Sequence, residues 1–295
     1  MNKNMEGYIS NNILSELENR ITTALNRCGI YYRIFSRLKN QHSIEEKIKR
    51  KKYSFTSENL MQDLIGIRIA LYFADDVDIC KKIIQNSFAV VGCSISQTTT
   101  TEFSAERLNV VCAIPSDFIT LISPDIWRSY PIDQTFEIQI RTVFSEGWHE
   151  IEHDVRYKSN ADWENNSDLS RNLNGILATL ETCDWSILEV LNNMAYREYK
   201  NHRWAAMLKS KLRIHLIDFS LDSQIIDIFN AHPEIAKQFF RIDRDVLLEY
   251  LACKLTRNIP LTLNNLVYLM NNVWIHCEEI DAVTPILFHR TFIKE

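Results

Sequence analysis

The first sustained pattern along the chain is helical. Over residues 10–28, Ile13, Leu14, Leu17, Ile21 and Leu25 fall on one helical face, with Ser and Asn residues ahead of them to serve as caps. A short basic helix is expected over 43–52, opened by Ser43, whose hydroxyl can accept from a first-turn backbone N–H. The period then changes to two. In 66–73, Ile67, Ile69, Leu71 and Phe73 alternate with Arg68, Ala70 and Tyr72; in 136–142, Phe136, Ile138 and Ile140 alternate with Glu137, Gln139 and Arg141. The stretch 107–114 is short and β-branched. These three segments predict strands, and DDVDICKKIIQNSF between the first two predicts a helix capped by Asp75 or Asp76.

Past about residue 159 the texture changes. A polar connector, SNADWENNSDLS, leads into LNGILATLETCDWSILEVLNNM, a further helix over 196–217 and several more between 222 and 293. The fold class expected is therefore α/β (α+β), a mixed sheet flanked by helices over 1–160, followed by an all-helical C-terminal extension over 161–295. No internal repeat or low-complexity segment interrupts this order.

Composition narrows the function classes. With 46% hydrophobic and 24% charged residues in 295, the chain has the make-up of a folded globular protein. Its net charge of −5 provides no global attraction to nucleic acid or anionic lipid, so any such contact needs a local patch. The seven cysteines stand singly, without CxxC spacing and mostly in apolar surroundings, as expected of reduced, buried thiols. MNKNMEGYISNN lacks the apolar core of a signal peptide, and no run approaches the ~18 apolar residues of a membrane span. A cytoplasmic protein without a membrane segment is expected.

The chemistry concentrates in the first part. Alternation puts Glu137, Gln139 and Arg141 on one strand face, and DLIGIRI adds Asp63 before its strand and Arg68 on the non-aliphatic face. A plain half-buried strand would turn such side chains to solvent. Two carboxylates and two guanidiniums on neighbouring strands also suit a metal–phosphate site. Hard Mg²⁺ takes carboxylate and phosphate oxygens, and guanidinium forks bind phosphate or stack on a base. RLKNQHSIEEKIKRKK adds Arg37 and Lys39, two apart on an extended segment, and Ser43 at the start of a helix bearing Lys47, where the dipole favours an anion. Taken alone, that element is a solvated basic helix.

Four pieces, RLKNQHSIEEK (37–47), DLIGIRI (63–69), FEIQIRT (136–142) and WHEIEHDVRYK (148–158), occur in an order and spacing that resembles the synthetase domain of the RelA/SpoT family. These are alarmone (p)ppGpp synthetases with a nucleotidyltransferase-like fold. The resemblance, over about 33–158, implies a Mg²⁺-dependent pyrophosphokinase that moves the β,γ-pyrophosphate of ATP to the 3′-hydroxyl of a guanosine nucleotide, GTP or GDP. By position, it implies that Arg37 and Arg68 sandwich the adenine, and that Lys39, Ser43 and Lys47 hold the ATP phosphates. Asp63 and Glu137 would hold Mg²⁺, Glu137 also taking or orienting the 3′-hydroxyl proton. Gln139, Arg141, Glu152, His153, Tyr157 and Lys158 would line or support the site, while Trp148 and Val155 pack.

One departure concerns the acceptor. The family's K-x-N-G-Y-R-S-x-H loop corresponds here to TTTTEFSAERLNVV, which puts Ala105 at the base-stacking tyrosine and Asn109 at the histidine. Alanine cannot replace a stack worth ~1–3 kcal/mol per base. Phe103 and Arg107 could stack from a shifted position, so the acceptor candidates are Phe103, Arg107 and Asn109. The acceptor stays open between a guanosine nucleotide, a tRNA 3′ end as in toxic relatives, and another nucleotide. A catalytically silent nucleotide-binding regulator is a further alternative, against which the presence of both Asp63 and Glu137 argues. Two other motifs compete. HEIEH (149–153) has the form of a zinc-peptidase helix, but it lies within the family's own W-x-x-x-E-H motif and lacks a third-ligand motif downstream. The stretch 196–215 carries Arg197, Lys200, Arg203, Lys209, Lys211 and Arg213 against the single acid Glu198. It reads as a solvated helix face or, alternatively, as a tRNA contact.

Overall fold

The computed structural model describes residues 8–10, 12–56, 59–95, 108–156, 159–163 and 166–290. The first helix, α1 (Asn12–Cys28), buries Ile13, Leu17, Ile21 and Leu25 completely, as their spacing requires. It is followed by β1 (Tyr32–Leu38), α2 (Gln41–Lys51), β2 (Ile65–Leu71), α3 (Asp76–Ser87), β3 (Val90–Ile95) and β4 (Leu108–Ala113). Short helices α4 (Ser116–Ile119) and α5 (Asp125–Ser129) precede β5 (Thr135–Thr142). The strands form a mixed five-stranded sheet of order β1-β2-β5-β4-β3. Strands β2 and β5 are parallel; the other neighbours are antiparallel.

Period two makes the sheet two-faced. Ile65, Ile67, Ile69 and Leu71 of β2, Phe136, Ile138 and Ile140 of β5, and Val110 and Cys112 of β4 are buried on the apolar face. Helix α3 packs on this side through Ile79, Cys80, Ile83 and Ile84, and Phe88 just beyond it meets Phe136 edge to face at 5.2 Å. Burial pushes the Cys112 thiol up to about 12. The opposite face carries the charged members of the alternation.

Sequence periodicity did not reveal β1 and β3, the two edge strands. In β1 the inward residues Ile34, Ser36 and Leu38 are only partly buried, so its hydrophobic signal is weak. A second correction concerns α2, whose cap is Asn40 and not Ser43. Asn40 Oδ1 accepts from the Ser43 backbone N–H at 2.8 Å, which places Ser43 inside the first turn.

From β5 the chain turns directly into α6 (Val143–Ile151), capped by Thr142 Oγ1 accepting from the Ser145 N–H at 3.1 Å, and α6 runs on through a π-helical turn over Glu152–Arg156. Then come α7 (Asn160–Trp163), the long α8 (Ser167–Lys200) and α9 (Trp204–Leu212). A single helix over 196–217 is therefore not formed. His202, at φ 55, ends α8, and Trp204, Met207 and Leu208 of the redirected segment enter an apolar core. The remaining helices are α10 (Ser223–Ala231), α11 (Pro233–Arg241), α12 (Arg244–Glu249), α13 (Leu263–Met270), α14 (Glu278–Val283) and α15 (Ile286–Phe288).

The described residues divide into two compact units. One takes the chain up to Thr23 and from Tyr32 to Thr182, and holds the sheet; the other takes Ala24–Tyr31 and the chain from Cys183 onward. The second unit is helical around Trp204, Phe229, Phe239, Leu247 and Leu266, with Trp204 Nε1 donating to Asn230 Oδ1 at 2.8 Å. Among the described residues, no helix is long and apolar enough to cross a membrane.

Candidate active site

Strand register assembles the polar face in rows, because paired residues on adjacent strands project to the same side. One row runs Arg37, Gly66, Glu137, Val111; the next runs Phe35, Arg68, Gln139, Asn109, Ser94; Ala70 and Arg141 pair in a third. At Gly66 a Cβ would lie 3.8 Å from both Cγ and Nε of Arg37, so the arginine stem lies over the bare backbone there. Around this point Phe35, Arg37, Asp63, Gly66, Arg68, Glu137 and Gln139 line a cleft. Phe35, 55% exposed beside Arg68, is a candidate stacking surface that sequence reasoning missed. The alternation Arg33, Phe35, Arg37 was the available signal.

Asp63 precedes β2. Its Oδ2 accepts from Lys47 Nζ at 2.5 Å and pairs with Lys39 Nζ at 3.0 Å. Burial pushes its pKa upward, but the Lys47 hydrogen bond and the charges of both lysines outweigh this and hold the carboxyl below its ordinary value. Its Oδ1 is shut off from solvent and has no hydrogen-bond partner. Glu137 Oε2 accepts from Gln139 Nε2 at 3.1 Å. Each carboxylate thus has one oxygen engaged by the protein, and both line the same cleft. Two half-engaged carboxyl groups offer hard oxygens that fit a Mg²⁺ ion drawing its other ligands from phosphate and water.

Gln139 is itself held. Its Oε1 accepts from Arg68 Nε at 3.2 Å and from Arg141 NH2 at 3.0 Å. Glu146 of α6 joins these two guanidiniums, with Oε1 2.9 Å from Arg68 NH1 and Oε2 2.7 Å from Arg141 NH1; Glu150, one turn on, also accepts from Arg68 NH1. Burial lowers the Arg68 pKa, but the charges and hydrogen bonds of Glu146 and Glu150 raise it overall. Sequence reasoning missed both glutamates. Their i, i+4 spacing after the arginine-bearing strand was the legible clue.

A basic groove adjoins the cleft, lined by Arg37, Lys39, Asn40, Ser43, Lys47, Lys49, Arg50 and His153, with Glu46 the acid among them. On another side, Tyr53, Asn59, Gln62 and Asp133 join Lys47, Asp63 and Glu137 around a polar cleft. Arg37, Lys39, Ser43, Lys47, Asp63, Arg68, Glu137, Gln139 and His153 are therefore brought together.

Other expected site residues lie elsewhere. Arg141 is 4% exposed and props Gln139 from within instead of lining the cleft. Glu152 pairs with Arg156, which also donates to Ser170 Oγ and Asn174 Oδ1 of α8, so this contact ties helices together. Trp148 is buried against Leu177, but Val155 is 53% exposed and does not pack as expected. Asn109 shares the Gln139 row, and its Oδ1 is shut off from solvent without a partner. Phe103, Ala105, Arg107, Tyr157 and Lys158 lie outside the described residues.

The rings of His149 and His153 lie 6.1 Å apart, and among the described residues no three side chains of metal-ligating type cluster. The cations of 196–215 are largely engaged within the second unit. Lys200, Lys209 and Lys211 lie over Tyr196, Phe219 and Phe240, Arg203 pairs with Glu198 at 2.5 Å, and buried Arg213 donates to Asn192.

Residues 36–162 match the family model described as the region found in RelA / SpoT proteins. The GTP pyrophosphokinase YjbM of Bacillus subtilis (strain 168) is 31% identical over 127 residues, which are 42% of this chain and 56% of that protein. The chain thus spans little more than half the length of that relative. Among solved structures, the small alarmone synthetase 1 of Bacillus subtilis is similar at 24% identity and a TM-score of 0.46, over 60% of this chain and 89% of that one. A GTP pyrophosphokinase family protein from Streptococcus pneumoniae is similar at 22% identity and a TM-score of 0.47, over 60% and 85%.

Proposed function

We propose that the RelA/SpoT-family domain carried by residues 36–162 is a Mg²⁺-dependent pyrophosphokinase that moves the β,γ-pyrophosphate of ATP onto the 3′-hydroxyl of a guanosine nucleotide. The observation that supports this reading is the adjacency of three features: a cleft and a second polar cleft, both lined by the half-engaged carboxylates Asp63 and Glu137, and a basic groove that shares Arg37 with the first and Lys47 with the second. In this reading the adenine lies between Arg37 and Arg68 with Phe35 beside it, and the phosphates follow Lys39, Ser43 and Lys47. The acceptor enters by the cleft of Tyr53, Asn59 and Asp133, on the side of Glu137 away from Arg68.

The acceptor 3′-oxygen attacks the β-phosphorus, the bond from that phosphorus to the α,β-bridging oxygen breaks, and AMP leaves. The hydroxyl proton passes to Glu137. A Mg²⁺ ion held by Asp63 and Glu137 would neutralise charge on the transferred group. Lys39 and Lys47 can exchange the Asp63 oxygen for phosphate oxygens, so the charge that Asp63 balances becomes available to the nucleotide. Catalysis here is positioning and charge neutralisation.

The test supplies γ-labelled ATP, Mg²⁺ and, in turn, GTP, GDP, ATP and deacylated tRNA. Label on GTP or GDP is the expected result. Glu137→Gln should lower kcat by about 10²–10⁴-fold, the range for a lost acid–base group, and Phe35→Ala should raise the KM for ATP. Label on tRNA alone would keep the chemistry and replace the acceptor; label on none would overturn the reading.

A further inference from the structure

The hydrogen bonds around Gln139 carry more than local stability. An amide can be turned over at little cost, exchanging its oxygen and NH₂, unless its neighbours decide between them. At Gln139 they do. Two guanidinium N–H groups, from Arg68 at 3.2 Å and Arg141 at 3.0 Å, converge on Oε1, and an NH₂ turned to that place would meet donors only. The NH₂ is therefore directed to Glu137 Oε2, 3.1 Å away. One engaged oxygen leaves the other as the acceptor that Glu137 presents to the cleft.

Two guanidiniums do not gather on one amide oxygen unaided, because their charges repel. Glu146 gathers them, spanning Arg68 at 2.9 Å and Arg141 at 2.7 Å with its two oxygens. It can do so because β5 passes into α6 through the Thr142 cap, which brings the first turn of α6 back over the strand that bears Gln139 and Arg141. The Glu146 side chain is 12% exposed, against 51% for Glu150, which touches Arg68 alone of the two.

We propose that Glu146 is a positioning residue: by clamping Arg68 and Arg141 it sets the sense of the Gln139 amide and, through it, how the Glu137 carboxylate is turned toward the substrates. This rests on the pyrophosphokinase reading for its catalytic consequence, although the clamp itself can be tested without turnover. Glu146→Gln keeps the shape but sets an NH₂ against one guanidinium, so Gln139 loses its fixed sense.

In the ¹⁵N-labelled full chain, the side-chain NH₂ of Gln139, assigned through Gln139→Leu, should give two well-separated, exchange-protected proton signals. In Glu146→Gln both should move toward the shifts of a free primary amide and lose their exchange protection. In the transfer assay, Glu146→Gln should lower kcat about tenfold with a smaller change in KM for ATP, and adding Gln139→Leu should cost less than a further twofold. Glu150→Gln should act on KM for ATP instead. Where Glu146→Gln does not fold, Glu146→Asp, which keeps the charge and shortens the reach, decides by the same measurements.

An unchanged Gln139 signal pair in the Glu146 variant would overturn the proposal. So would kinetic effects of Glu146 and Gln139 that multiply. If the wild-type chain transfers label to no acceptor, the function reading fails by itself, and the amide signals still decide the clamp.

Discussion

Asp63 stays ionised because two ammonium groups share its Oδ2, and this makes it sensitive to acid. A carboxyl whose folded pKa lies below its ordinary value contributes stability that is fully present above the unfolded value and is lost as pH falls through the folded one. The window therefore opens below about pH 4, the ordinary aspartate range. Urea midpoints measured from pH 5 down to pH 2.5 should fall more steeply in the wild type than in Asp63→Asn, which should already be about 1–3 kcal/mol less stable at pH 7, the range for losing a charged hydrogen-bonding group. Parallel acid curves for the two would show that Lys39 and Lys47 do not depend on the carboxylate. At this scale the sequence marked Arg37, Lys39, Lys47, Asp63, Arg68 and Glu137 by residue type and strand alternation. It did not mark Glu146 or Phe35, because their relevance comes from what lies across from them: Glu146 is defined by two arginines on different strands.

Among the elements, α2 joins a helix cap to the basic groove. Asn40 caps it by accepting from the Ser43 N–H, and the same turn borders the basic groove. Asn40→Ala should cost about 1 kcal/mol of stability in chemical denaturation and weaken ATP binding, because the frayed turn no longer holds Ser43 and Lys47 in place. A variant that loses stability but binds ATP as before would separate the cap from the groove. The elements easiest to read were the buried strands β2, β4 and β5, in which one face is strongly apolar. The edge strands β1 and β3 escaped because an edge needs no such contrast. Register then does what no single element can, bringing Arg37, Gly66 and Glu137 into one row from three strands.

The whole chain comprises a sheet-bearing unit and a helical one, and in the second a cation holds a helix end from inside the core. Arg244 is buried and donates to the carbonyls of Leu212 at 2.6 Å and Arg213 at 3.3 Å, at the C-terminus of α9. Arg244→Met should lower stability by about 2–3 kcal/mol, since it leaves buried carbonyls without donors; an unshifted urea midpoint would show that they find other partners. The same unit shows the limit of a charge count. The run 196–215 is strongly basic in sequence, yet its lysines lie over aromatic rings, Arg203 pairs with Glu198 and Arg213 is buried. By itself the sequence determined the α/β pattern, the helical texture beyond it and the charged residue types that line the cleft, because periodicity and side-chain chemistry are local properties of the chain. Only the tertiary structure decided which charges are neutralised, which oxygen of Asp63 remains without a partner and how Glu146 reaches Gln139, because each depends on side chains brought together from distant parts of the sequence.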